Sequence, residues 1–283
     1  MSARNAEIPF WTRDHVKATL PIRQEDGHKG TFGTGLLLAG TRDMPGAALL
    51  AALAAMRSGI GKLEIATAPE VAATIVALLP EATYIRDGVQ KTAAHSLDLN
   101  PYRACAAGPG LPPNETTEKA VAALLASGHS VVLDAGALSK RGYPRRASPT
   151  ILTPHLREFA RITGVSKEEL AENRIPLLQA SAREWGTAIV LKDHETLIAF
   201  PDGEIWKNPT GNSALGKGGT GDTLTGMLLG MLCCHDDWHH AVLNAVYLHG
   251  ACADEWVRTR SAHTMLAHEI TGMLPEVWKQ HER

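Results

Sequence analysis

Short, mostly apolar runs alternate with longer segments of helical spacing along most of the chain. Six of the runs are four or five residues long and end close to a glycine, a proline or a charged residue, which is typical of strands buried on both faces. We predict these strands at residues 36–40, 63–67, 104–107, 131–134, 151–155 and 188–192. The turn Pro201-Asp202-Gly203 predicts a hairpin between two further strands, at 197–200 and 204–207.

The segments between these strands have the composition and apolar spacing of helices, and one of them starts at Pro69, a residue favoured in the first turn. Helices are predicted at residues 13–20, 46–56, from 69 onward, 116–127, through 159, 173–185, 239–259 and from 267 to the end. Strands that alternate with helices predict an α/β fold, a central and mostly parallel sheet with helices on both faces. Because no Pro/Gly/Ser-rich linker interrupts the pattern, we expect one domain over 1–283, with residues 1–27 as an extension packed on it.

Composition narrows the classes of partner. The 283 residues carry 28 basic and 30 acidic side chains, a net charge of −2, which gives no electrostatic reason to expect nucleic acid or an anionic membrane. The first residues have no apolar core of a signal peptide, and the apolar runs are too short or interrupted to span a bilayer. Four cysteines in apolar surroundings predict reduced core thiols, so we expect a cytoplasmic protein without membrane contact.

Glycine is concentrated in residues 211–222, where it occupies five of the twelve positions. An acid, Asp222, closes the segment, and an apolar helical pattern from Leu224 to Leu232 follows. Glycines let backbone amides approach an anion, and a helix start adds unpaired N–H groups, so the segment predicts a site for phosphate or an oxyanion. A carboxylate repels phosphate, which favours Asp222 as a base that takes a proton from a group about to meet the phosphate.

Two nucleotide-binding motifs overlap this segment, and both are excluded. Gly211 to Lys217 spells the start of a P-loop, but Gly218 stands where the magnesium-binding Ser or Thr is needed. Gly216, Gly218 and Gly221 have dinucleotide-fold spacing, but no strand is predicted directly before them. A flexible linker is also a poor interpretation, because linkers rarely lead into an acid and an amphipathic helix.

Several residues with chemical potential lie at or just past predicted strand ends. Gly110, Asp134, His155 and Lys192 each follow a different strand. Ligands of open parallel sheets bind beyond the carboxyl ends of the strands, so we expect these residues and the glycine segment at one edge. Three of them also have a plainer interpretation: His155 as a capping or surface residue, Asp134 as a turn cap and Lys192 as an ordinary strand-end lysine.

The chain resembles the ribokinase-like superfamily and, within it, the ADP-dependent (S)-NAD(P)H-hydrate dehydratase family. The resemblance runs from about His28 to Asp254. The Gly-Gly-Thr-Gly-Asp segment is common to the superfamily, whereas Thr-Pro-His with Glu158 and His-Lys-Gly are similar to the dehydratases in particular. The segments are His28-Lys29-Gly30 with Gly33, Gly46-Ala47-Ala48, Gly108-Pro109-Gly110-Leu111, Leu133-Asp134-Ala135, Leu152-Thr153-Pro154-His155 with Glu158 and Phe159, Leu191-Lys192 with Thr196, Gly211-Asn212, Gly218-Gly219-Thr220-Gly221-Asp222 with Leu224 and Gly226, and His249-Gly250.

This resemblance implies a repair reaction on a nicotinamide cofactor whose reduced ring has added water. The family uses ADP as co-substrate, gives AMP and phosphate, and restores NADH or NADPH. The implied partners are therefore NADHX or NADPHX and ADP/AMP. Mg²⁺ is implied as a cofactor that bridges the nucleotide phosphates through water, without direct protein ligands. A homo-oligomer, a tetramer, is also expected from the resemblance.

The resemblance also carries site roles onto matching residues. The implied catalytic set is Asp222 as base with the amides of Gly219 and Gly221. The implied hydrate site is lined by Ala47, Gly110, His155 and Asp222. The implied nucleotide site is formed by Lys192, Asp193, His194, Glu195, Thr196 and Gly221. His28 and Lys29 are expected to help hold phosphates.

Two positions depart from the family pattern. Gly136 stands where a second acid is common, which puts a metal or phosphate role beside Asp134 in doubt. Asp193 replaces a usual glycine, so the nucleotide loop is expected to differ in shape. The run His235 to His240 contains possible metal ligands, but adjacent side chains at a helix start point apart, and we expect no metal site there.

Two other functions remain alternatives at this stage. One is a small-molecule kinase of the same fold, acting on a vitamin precursor. The other is a catalytically silent nucleotide-sensing protein.

Overall fold

The computed structural model describes residues 7–283, over which one sheet of nine strands forms the centre of the molecule. Its strand order is β3-β2-β1-β4-β5-β6-β7-β8-β9. The first seven strands in this order are parallel, and β8 and β9 add an antiparallel hairpin at one edge. The strands are β1 Thr34–Leu38, β2 Lys62–Thr67, β3 Thr83–Arg86, β4 Ala104–Ala107, β5 Ser130–Leu133, β6 Thr150–Leu152, β7 Ala188–Leu191, β8 Leu197–Ala199 and β9 Ile205–Lys207.

Helices cover both faces of this sheet, which confirms the predicted α/β class. Along β1, Leu37 packs into one core, and Leu36 and Leu38 pack into the other, because successive side chains of a strand point to opposite faces. This double burial explains why the strands read as continuous apolar runs. The helices are α1 Arg13–Thr19, α2 Pro45–Arg57, α3 Pro69–Ile75, α4 Gly88–Ala93, α5 Glu115–Ala126, α6 Leu156–Thr163, α7 Lys167–Trp185, α8 Thr220–Cys234, α9 Trp238–Val257 and α10 Ala267–Lys279.

Most predicted elements are present, with bounds that shift by one to four residues, and three elements differ more. The edge strand β3 and the short helix α4 were not predicted, because Thr83 and Arg86 flank only two apolar residues and no clear period results. Helix α7 begins at Lys167, and the predicted start at Asn173 is instead a kink inside it. Pro176 explains the kink, since it has no N–H to continue the helical hydrogen bonds.

Residues near the N-terminus pack on the far edge of the sheet and on α9. The Trp11 backbone N–H donates to the Lys207 carbonyl at 3.0 Å, and its indole N–H donates to Asn244 Oδ1 at 2.9 Å. Of the predicted extension over residues 1–27, the first six residues lie outside the described part. The single-domain organisation therefore stays a prediction.

The four cysteines are free, three of them buried and Cys234 half-buried. Within residues 7–283, no helix has both the length and the apolar character needed to cross a membrane.

Candidate active site

The glycine segment leaves the sheet after β9 and is tied to α9 before it reaches α8. The Gly211 N–H donates to Asp254 Oδ2 at 2.9 Å, and the Asn212 side-chain amide donates to Asp254 Oδ1 at 2.8 Å. A short 3-10 helix, Ser213–Leu215, comes next. No strand directly precedes the glycines in this part of the described chain, which agrees with excluding a dinucleotide-binding motif.

Helix α8 starts at Gly219, a position where a residue with a side chain would not fit. Gly219 is the N-cap residue with φ of +93°, and a β-carbon there would lie 2.5 Å from Leu50 Cδ1 on α2. The Thr220 hydroxyl donates to the Leu215 carbonyl at 2.8 Å, which fixes the loop against the first turn. The unpaired amides of that turn point outward from the helix end and favour an anion.

Helix α8 lies close to α2 because glycines remove the side chains between them. A β-carbon at Gly226 would lie 1.9 Å from the Ala51 carbonyl oxygen, so no larger residue fits this crossing. Ala47 lies one turn before Leu50 on the same helix, and a β-carbon at Gly110 would lie 2.9 Å from Ala47 Cβ. The structure therefore brings the two small residues assigned to the hydrate site together, beside the start of α8.

Asp134 and Lys192 form a buried ion pair under the first turns of α8. The Lys192 Nζ donates to Asp134 Oδ1 at 2.8 Å, and the Thr225 hydroxyl donates to Asp134 Oδ2 at 3.0 Å. Asp134 is 2% exposed, so both bonds offset the cost of burying its charge. A β-carbon at Gly221 would lie 3.3 Å from Lys192 Nζ, so the ammonium lies directly against this glycine.

Asp222 is the third residue of α8 and is only partly exposed. Its pKa is raised to about 7, mainly by burial and secondly by the nearby Asp134 charge, while the Lys192 charge partly opposes both effects. Among residues 7–283 it has neither a hydrogen-bond nor an ion-pair partner of its own. A carboxylate with these properties can accept a proton near neutral pH, which is what a general base needs.

This raised pKa predicts a pH-dependent stability difference for Asp222→Asn. In the unfolded chain the carboxyl titrates near its ordinary value, so the stability given by its protonation is full below that value and is lost as pH rises through about 7. Asn cannot ionise and keeps this stability. At about pH 8 we expect the variant to be more stable by about 2 kcal/mol, and equal to the unchanged protein near about pH 4. Urea unfolding at several pH values measures this gap, and a gap that does not change with pH would contradict the burial of Asp222.

His155 is the N-cap residue of α6, the capping role that was one of its two interpretations in the sequence. Its ring Nδ1 accepts from the N–H groups of Arg157 and Glu158 at 3.1 and 3.2 Å, and Glu158 Oε2 accepts from the His155 N–H at 2.9 Å. This reciprocal arrangement is a capping box. The His155 backbone also bridges to Lys192. His155 therefore lies beside the ion pair with its ring half-exposed, and its contact with the hydrate stays a prediction.

Two ion pairs tie the loop after β7, which the resemblance assigns to the nucleotide, to α7 and to β9. Asp193 is paired with Arg174 of α7 at 2.5 Å, and Glu195 is paired with Lys207 of β9 at 2.6 Å. The Thr196 hydroxyl donates to the Asp193 carbonyl at 3.2 Å. The acid that departs from the family pattern thus has a partner across the loop, while His194 between them is exposed.

His28 and Lys29 do not lie at this site, so the expectation that they hold phosphates is wrong for this chain. They precede β1 and therefore lie at the amino edge of the sheet, where a β-carbon at Gly33 would lie 2.5 Å from the Cys233 carbonyl at the far end of α8. Cys233 is thirteen residues after Thr220 in α8, a helical rise of about 20 Å.

Local packing explains why a glycine occupies position 136. A β-carbon there would lie 1.9 Å from the Leu111 carbonyl oxygen. A second acid at this position would require the backbone after β5 to move.

At the histidine-rich start of α9, the possible metal ligands that come together differ from the run His235 to His240 considered in the sequence. His239 lies 3.9 Å from Asp202 and 3.8 Å from Glu204 across the hairpin turn. These three side chains could approach one ion, but they lie at the amino edge, opposite to the glycine segment, and two of them are exposed. We assign no metal to them.

Three supporting residues were not predicted as parts of the site. Thr225 and Asp254 act through the contacts above, and the buried His249 contacts the first turn of α8, with Nε2 2.9 Å from the Thr220 carbonyl. Burial lowers the pKa of His249 to about 4, so it is neutral and donates this bond. The signals in the sequence were a polar side chain inside the apolar pattern of each helix and, for His249, the resemblance segment His249-Gly250.

A doubly covered sheet with a glycine-rich helix start and a carboxylate at its opening defines a ribokinase-like protein. A ribokinase-like superfamily protein of Enterococcus faecalis superposes with a TM-score of 0.85 at 26% identity, covering 100% of this chain and 99% of that one. The sequence profile of NAD(P)H-hydrate dehydratase matches residues 35–276. The chain belongs to the NAD(P)H-hydrate dehydratase family.

Two further comparisons concern one relative from Bacillus subtilis. The chain is 60% identical over 275 residues to its ADP-dependent (S)-NAD(P)H-hydrate dehydratase, covering 97% of this chain and 99% of the relative. The crystal structure of the ADP/ATP-dependent NAD(P)H-hydrate dehydratase from that organism, co-crystallized with ATP/Mg²⁺, superposes with a TM-score of 0.95. That alignment has 60% identity and covers 99% of this chain and 100% of the other.

Proposed function

We propose that this protein dehydrates (S)-NAD(P)H hydrate at the expense of ADP and so returns a damaged cofactor to NADH or NADPH. The observation that carries the proposal is the position of Asp222, an unpaired carboxylate of raised pKa at an amide-lined helix start. The 60% identity to a relative with that name supports the substrate.

Hydroxide is a poor leaving group, which explains why a nucleotide is consumed. In the proposed reaction Asp222 takes the proton of the ring hydroxyl, and the hydroxyl oxygen attacks the terminal phosphorus of ADP, releasing AMP. The amides of Gly219 and Gly221 stabilise the charge on the transferring group. The ring nitrogen then expels phosphate, and loss of a proton from the adjacent carbon restores the double bond.

In this proposal the two substrates meet at Asp222. The hydrate lies against Ala47, Gly110 and His155, where two small residues leave the backbone open to a large dinucleotide. The nucleotide lies along Gly221 and the loop of Lys192, Asp193, His194, Glu195 and Thr196. Because both groups of residues lie near the start of α8, a hydroxyl and a phosphoryl group can meet there.

Magnesium enters this reaction as part of the nucleotide substrate. Asp134 already uses both oxygens in hydrogen bonds, and Asp193 is paired with Arg174, so neither is available to chelate an ion without losing a partner. Mg²⁺ keeps several water ligands and commonly binds substrate phosphates. We propose that it accompanies ADP and neutralises phosphate charge, with no direct protein ligand assigned.

A cytoplasmic location and a homotetramer complete the proposal. The four free cysteines support a reducing compartment. Light scattering on the purified protein measures the mass of the assembly.

The reaction is tested by incubating the protein with hydrated NADH or NADPH, ADP and Mg²⁺. We expect the reduced-nicotinamide absorbance to return with one AMP formed per cofactor restored. In a control without ADP, the absorbance should not change. Turnover only with ATP and a vitamin precursor would replace this proposal by the small-molecule kinase, and nucleotide binding without any turnover would favour a sensing role.

A further inference from the structure

Asp134 is buried where three elements meet. It follows β5, its Oδ1 accepts from Lys192 at the end of β7, and its Oδ2 accepts from Thr225 on α8. A carboxylate that is 2% exposed is stable only with such partners, so its orientation is fixed by both neighbours.

The ammonium of Lys192 is placed by this contact against the start of α8. It lies 3.3 Å from the position of a β-carbon on Gly221, while its side chain keeps 22% exposure. An ammonium has three donors, and Asp134 accepts from one of them. The other two have no hydrogen-bond partner within residues 7–283, so they are available to an anion beside Gly221.

Thr225, which bonds to Asp134, lies on the same helix as the proposed base. It lies three residues after Asp222 and four after Gly221, so all three lie on one face of α8. That face is turned toward Asp134, since Thr225 is fully buried and bonded to it. The charged groups that act on Asp222 are Asp134 from β5 and Lys192 from β7, and the histidine packed on this turn from α9, His249, is neutral.

We propose that Asp134, oriented by Thr225, is a positioning residue that fixes the Lys192 ammonium beside the Gly221 amide, where it contacts the terminal phosphate of the nucleotide. This inference rests on the proposed function for the identity of the reaction. Its first test, which measures nucleotide binding alone, does not depend on that function. The ion pair is therefore part of the phosphate site as well as a link between strands and helix.

Nucleotide binding tests the positioning role without hydrate. Titrations of ADP with Mg²⁺ into Asp134→Asn, into Lys192→Met and into the double variant form a cycle. We expect each single change to weaken binding by about tenfold, and the double variant to be no weaker than Lys192→Met alone, because Asp134 acts through Lys192. Losses that simply add, or an Asp134→Asn protein that binds ADP normally, would overturn the proposal.

Turnover adds a readout that a purely structural contact would not move. The acidic limb of the pH profile should shift to lower pH in Asp134→Asn, which loses a like charge near Asp222, and to higher pH in Lys192→Met, which loses an opposite charge. Asp236→Asn at the amino edge, which also removes an acid from an ion pair, is the matched control and should leave the limb in place. Equal shifts in both site variants would overturn the positioning role.

Two features keep this test decisive. If Asp134→Asn does not fold, Thr225→Val keeps the ion pair and removes one anchor, and a weakening of ADP binding by about threefold is then expected. Unchanged binding in that variant would count against the proposal. If the unchanged protein binds ADP but never restores hydrated cofactor, the proposed function fails while the binding cycle still decides the role of Asp134.

Discussion

Changing Asp222 to Asn should lower kcat for hydrate dehydration by about a thousandfold, the scale of a lost general base. The amide cannot take the hydroxyl proton, yet it has nearly the same shape and leaves the amides of α8 in place. Stopped assays with ADP, Mg²⁺ and hydrated NADH measure the loss.

Binding of nucleotide is the control for this variant. We expect ADP to bind Asp222→Asn at least as well as the unchanged protein, because a negative charge near the phosphates is removed. Together with higher stability above neutral pH, this would separate chemistry from folding. An Asp222→Asn protein with more than a tenth of the normal kcat would show that another group removes the proton.

Changing Gly219 to Ala should be the second most damaging substitution and should cost about a hundredfold in kcat, as expected when a catalytic arrangement is displaced by about an ångström. The N-cap φ of +93° is unfavourable for any residue with a β-carbon, and that carbon would lie 2.5 Å from Leu50 Cδ1. The first turn of α8 must therefore shift, and its backbone amides no longer point at the transferring phosphoryl group.

The neighbouring Gly218 provides a matched control. It lacks the positive φ, and a β-carbon there would meet nothing within 4 Å. Gly218→Ala should keep kcat within about twofold and a normal melting temperature, as surface changes usually do. Equal losses in both variants would mean that flexibility of the loop, rather than the geometry at Gly219, supports activity.

The arrangement of the sheet was predictable because both of its faces are buried. Strands such as β1 and β7 have no polar face, so short apolar runs bounded by turns identify them. The parallel order then places Gly110, Asp134, His155 and Lys192 at one edge. The same rule would have placed His28 and Lys29, which precede a strand, at the opposite edge.

The edge of the fold was less predictable for a physical reason. Strand β3 pairs with β2 alone, and its four residues are partly exposed, so its sequence is not constrained to be apolar. The contacts that hold the site could not be predicted either, because they join residues that are far apart in the sequence. Thr225 reaches Asp134 across 91 residues, and Asp254 reaches Gly211 across 43.

His155 shows the limit of assigning a role from residue type. A histidine after a strand could cap a helix or contact a ligand, and the sequence does not distinguish them. The structure shows the cap, through Nδ1 and Glu158, with the other ring nitrogen 3.5 Å from Glu158 Oε2 and the His155 side chain about half-exposed.

The fate of the hydroxyl oxygen tests most directly whether Asp222 directs an alcohol, rather than water, at the phosphoryl group. Hydrated NADH carrying a heavy-oxygen label in its ring hydroxyl would be turned over with ADP in ordinary water, and the released phosphate analysed by mass spectrometry. The account predicts one labelled oxygen in the phosphate for each cofactor restored. Unlabelled phosphate, with the label in water, would contradict it.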